Sequence, residues 1–65
     1  MAVKEKSRFN RLVPNEFIGL SSDTKPTMSI QYPEDDVLPF AQYIEVDGNG
    51  SIVDVWVYDG TTWNH

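Results

Sequence analysis

The 65-residue chain reads as a small all-β protein, and three observations carry that reading. Its second half contains two runs rich in β-branched and aromatic residues, Ala41 to Val46 and Ser51 to Tyr58, alternating with a period of two. Two glycine-bearing turns, Asp47-Gly48-Asn49-Gly50 and Asp59-Gly60, bound them. Proline or glycine interrupts the first half too often for a long helix. The predicted architecture is a three-stranded antiparallel meander, two hairpins in series, over residues 40–65. An extended, proline-punctuated N-terminal arm and linker over residues 1–39 precedes it.

Taken in order, residues 1–13 place Val3, Phe9, Leu12 and Val13 so that a short amphipathic turn or two of helix is expected before Pro14 stops it. Between Pro14 and Pro39 short strands are expected at Phe17-Ile18 and Met28 to Tyr32. The first hairpin turns at Gly48-Asn49, or over the four residues D-G-N-G, and pairs Val46 with Ser51, Ile44 with Val53 and Tyr43 with Asp54. A turn at Asn49-Gly50 would set Glu45 opposite Asp54, two like charges, and is disfavoured. The second hairpin turns at Asp59-Gly60 as a two-residue type I′ loop, with Tyr58 opposite Thr61 and Trp56 opposite Trp63.

The stretch from Glu45 to Trp56 has the outline of a calcium loop, with Glu45, Asp47, Asn49 and Ser51 at alternate positions and Gly50 at the sixth. The twelfth position, where a bidentate glutamate should close the shell, is Trp56, and both flanks read as strands instead of helices. The expectation is a tight turn with no structural role for calcium and no cofactor.

Sixty-five residues make one small core, worth about 3–5 kcal/mol, and domains of this size commonly add a staple. There is no cysteine, and the one histidine is His65, so disulfides and thiolate zinc sites are excluded. Association is the staple that remains, and a homo-oligomer is expected, with a trimer preferred. No apolar run approaches the roughly 20 residues of a membrane span, and no apolar core of a signal peptide stands near Met1. Synthesis in the cytoplasm of the host cell and no membrane partner are therefore expected.

Charge is divided along the chain. Five bases, Lys4, Lys6, Arg8, Arg11 and Lys25, face three acids in the first 25 positions, giving +2; the rest holds seven acids and no base, giving −7. So acidic a body opposes nucleic-acid phosphates, and no nucleic-acid partner is expected.

Strand alternation gives the predicted sheet two unlike faces. One is aliphatic, with Ile44, Val46, Val53, Val55 and Val57; the other carries Tyr43, Ile52, Trp56, Tyr58 and Trp63 with Glu45 and Asp54. Either the N-terminal arm covers one of them with Phe9, Phe17, Ile18 and Leu20, or another subunit does. The expected interface residues are Phe9, Phe17, Ile18, Leu20, Tyr43, Trp56, Tyr58 and Trp63, with the arm reaching onto a neighbour. The expected turn residues are Gly48, Asn49, Asp59 and Gly60.

Gly19-Leu20-Ser21-Ser22-Asp23-Thr24-Lys25-Pro26-Thr27, followed by a hairpin closing on Trp56-Val57-Tyr58-Asp59-Gly60-Thr61-Thr62-Trp63, resembles small proteins encoded among the virion genes of tailed bacteriophages. The likeness covers Gly19 to Thr27 and Tyr43 to Trp63; Tyr32 to Pro39 departs from it, standing where a shorter Gly/Pro connection is usual. The resemblance implies a virion location and a structural part of the particle, a capsid decoration, fibre or tail-connector subunit, with other virion proteins as partners. It brings no catalytic residues. Glu34-Asp35-Asp36 and the Glu45/Asp54 pair offer carboxylates, but no cysteine, lysine or internal histidine stands near them in sequence, and an enzyme is not expected. The alternative is a carbohydrate- or receptor-binding module using Tyr43, Trp56, Tyr58 and Trp63 as a platform.

Overall fold

The computed structural model describes residues 3–7 and 13–65. The expected contributions of Arg8, Phe9, Arg11 and Leu12 lie outside the described residues. The chain is all-β, as expected, with no helix among the described residues, and it forms one five-stranded mixed sheet. The strands are β1 (Lys4–Ser7), β2 (Glu16–Leu20), β3 (Gln42–Val46), β4 (Ile52–Tyr58) and β5 (Trp63–Asn64), in spatial order β1-β2-β3-β4-β5.

Two strands thus join the predicted meander: the strand expected at Phe17-Ile18 is present as β2, and β1 is unexpected. The residues expected to form a free arm pair inside the chain's own sheet: β1 lies antiparallel to β2, and β2 lies parallel to β3 with Phe17 opposite Tyr43 and Ile18 opposite Ile44. The expected turn of helix is strand at Lys4–Ser7, and the expected strand at Met28 to Tyr32 shrinks to one bridge, Met28 to Asp36. A parallel pair needs a long crossover. Residues 21–41 supply it without a helix, tied by Ser29 N–H to Asp35 O, Val37 N–H to Thr27 O and Ala41 N–H to Leu38 O.

Both hairpin registers differ from the expected ones. Glu45 stands opposite Asp54, Ile44 opposite Val55 and Tyr43 opposite Trp56, and a bulge sets Ile52 and Val53 against Val46. The facing carboxylates are separately engaged. Glu45 Oε1 accepts from Trp56 Nε1 at 2.9 Å, and Asp54 Oδ2 meets His65 Nδ1 at 2.6 Å. The loop itself fixes the register: Asp47 Oδ1 accepts from Asn49 and Ser51 N–H, Gly50 N–H bonds Asp47 O, and Gly50 takes φ +87°. In the second hairpin Tyr58 pairs with Trp63, and only Gly60 has positive φ, whereas type I′ requires it at two residues. Asp59 Oδ1 gathers the N–H groups of Thr61 and Thr62 at 2.8 and 2.7 Å and sets a loop over residues 59–62.

The core lies on one face of the sheet. Phe17, Tyr43 and Tyr58 are buried with Val37 and Ala41 of the crossover, and Val3, Trp56 and Trp63 pack against them. Trp63 is its hub, edge-on to Phe17 and Tyr43 at 6.2 and 6.0 Å between ring centroids and tilted on Tyr58 at 5.0 Å. Its indole N–H reaches Pro26 O at 3.0 Å and pins the crossover over the rings.

Candidate interaction surface

The aromatic face predicted to meet a partner is this core. Phe17 and Tyr43 are fully buried, and Tyr58 nearly so, so none of them offers surface for a subunit or a sugar. Tyr43 donates its hydroxyl to Leu20 O at 2.7 Å. Burial, with the nearby charges of Asp23 and Glu45, raises its phenol above the usual range. Trp56 is covered by its own chain as well: the Lys25 ammonium stands 4.0 Å from its ring centroid and the His65 ring 3.9 Å.

No pocket is found among the described residues, nor any cluster of three His, Asp or Glu side chains placed to hold a metal. A heavily bonded carboxylate among the described residues belongs to Glu5, which sequence reasoning passed over. Its oxygens accept from Asn15 Nδ2 at 2.6 Å, Ser29 Oγ at 3.0 Å, and the backbone N–H groups of Ile30 and Gln31, both at 2.8 Å. Burial pushes the carboxyl up, but the donors from Gln31, Asn15, Ser29 and Ile30 together outweigh it and hold it below the usual glutamate range. Asn15, also buried, accepts from Leu38 N–H through Oδ1 and from Gln42 N–H through its carbonyl. This network ties β1 to the crossover and to the start of β3. No periodicity in the sequence signals it.

The opposite face is where apolar surface remains. Ile18, Ile44 and Val55 line up across β2, β3 and β4, with Leu20 and Val46 beside them. Val46 is buried and Ile18, Leu20 and Ile44 are half-buried, but β4 leaves Val53 59% exposed, Val55 42% and Val57 39%, with Ile52 at 66%. Polar residues rim this strip: Lys4 opposite Ile18 on β1, and Glu16, Gln42 and Asn64 along the row of Val57. Of the predicted interface residues, Ile18 and Leu20 lie here.

Just before β3, Phe40 has φ +71° and is 77% exposed. For a bulky residue that conformation costs about 1–2 kcal/mol. Its N–H bonds Tyr58 O at 2.8 Å, so its backbone continues the sheet one row beyond Gln42 and Val57. Nothing in the sequence marks position 40 as left-handed. Comparisons of the chain with family models, curated proteins and solved structures gave no match.

Proposed function

We propose that this chain is a non-enzymatic structural subunit of a tailed-phage particle, a capsid decoration, fibre or tail component, attached to other virion proteins and self-associating. The observation that carries the attachment is the aliphatic strip of Val53, Val55 and Val57, which no described part of the chain covers although the other face carries the core. A sheet with one covered face normally wets the other with polar side chains. Contiguous exposed aliphatics instead mark a contact surface. The virion assignment rests on the resemblance of Gly19 to Thr27 and Tyr43 to Trp63. Association within the particle, in this reading, runs through the aliphatic face and not the N-terminal arm, because β1 and β2 are engaged in the sheet.

The test is incorporation of Val55→Glu into particles assembled in cells. Val55 is exposed in the isolated chain, so the variant should keep the wild-type circular dichroism and tryptophan emission. Its copy number per particle should fall at least tenfold. Incorporation at the wild-type level would overturn the reading.

A further inference from the structure

We propose that a second copy of this chain covers the aliphatic face, sheet on sheet across a two-fold axis, with Phe40 of each copy seated on the valine strip of the other. This rests on the reading of that face as a docking surface and names its occupant.

Three features argue for a second copy. The strip of Ile18, Ile44, Val53, Val55 and Val57 is purely aliphatic and β-branched throughout, the make-up of the inner face of a β-sandwich, where two such sheets interdigitate about 10 Å apart. An uncharged patch holds no charge that would repel its own copy across a two-fold axis, and homodimer interfaces are the more apolar class. Charge points the same way. A chain of net charge −5 should repel its copies, but in the strands Glu45 and Asp54 sit on the core side, Glu5 is held by the crossover, and only Glu16 joins Lys4 at the rim of the strip. This is the face on which two copies repel least.

Size and Phe40 complete the case. The 23 residues of the five strands, each covering about 3.3 Å along the strand and about 4.8 Å across it, give a face of about 360 Å². A sheet of the same size fills it, and the resulting interface is a small one that forms with rising concentration. Phe40 combines an unfavourable φ with a side chain 77% exposed. Neither helps the isolated chain; an aromatic anchor at the end of the strip uses both.

Sedimentation equilibrium from about 1 μM to about 1 mM, with urea denaturation at the dilute end, tests this. The wild type should pass from monomer to dimer. Phe40→Gly should dimerise at least tenfold more weakly and yet unfold at higher urea, because glycine accepts the positive φ that phenylalanine resists. Phe40→Ala should lose dimerisation with no gain in midpoint. A chain that stays monomeric throughout, one that forms trimers by head-to-tail contacts, or a Phe40→Gly variant that dimerises like the wild type would overturn the proposal. If the chain stays monomeric while Val55→Glu still leaves the particle, the face docks on another virion protein, and the structural-subunit reading stands without the dimer. If it dimerises while Val55→Glu is incorporated normally, the dimer stands and the attachment reading falls.

Discussion

Glu5 stands in the middle of β1, and its carboxylate is bound on several sides, by Asn15, Ser29, Ile30 and Gln31. Its carboxyl titrates below the usual glutamate value when folded. The unfolded chain therefore takes up the proton first as pH falls. The stability from Glu5 is fully present above about pH 4.5 and drains away as pH drops through the lower folded value. Glu5→Gln keeps the size but forfeits the charge on these bonds, so it should be less stable than wild type in urea at pH 7, and the gap should narrow at pH 3. A gap that is equal at both pH values would show that Glu5 acts through packing alone. Such a residue is invisible to a reading by periodicity, since its partners are 10 to 26 positions away and include two backbone N–H groups.

At the scale of elements, hairpins were legible because their chemistry is local, and registers were not. Alternation located β3 and β4, and the aspartate-glycine pairs located both turns. The register depended on where Asp47 and Asp59 send their carboxylates, and on a bulge at Val53 that alternation does not announce. Like-charge repulsion between Glu45 and Asp54 disfavoured the observed pairing in the sequence; Trp56 and His65 offset it in the fold. The parallel pairing of β2 with β3 was hidden because both partners are short and the crossover between them has no helix. The turn makes a direct test. Gly50 has φ +87° and Gly48 lies outside the left-handed region, with nothing within 4 Å of a side chain added at either. Gly50→Ala should cost about 1–2 kcal/mol in urea unfolding and Gly48→Ala less than half of that. Equal losses would point to a different turn.

Across the whole molecule, two locally closed units, β1–β2 and β3–β4–β5, meet along the single seam of β2 with β3. Gly19 lies on that seam. A β-carbon there would collide with the Tyr43 hydroxyl and touch Val3, so the absence of a side chain lets Tyr43 cross to Leu20 O and lock one unit to the other. Gly19→Ala should therefore cost about 1–3 kcal/mol, and adding Tyr43→Phe, which removes the colliding oxygen, should recover part of the loss. Strict additivity of the two substitutions in urea unfolding would show that they do not meet. The seam also orders events in time. As the chain is made from its N-terminus, β1 and β2 can close as a hairpin early, yet Phe17 finds its packing partners only after Tyr43 and then Trp63 have left the ribosome. Until that last ring arrives Phe17 lacks its contact with Trp63, so the zipping of the middle of the sheet, between strands whose sequences lie far apart, is the expected slow step of folding.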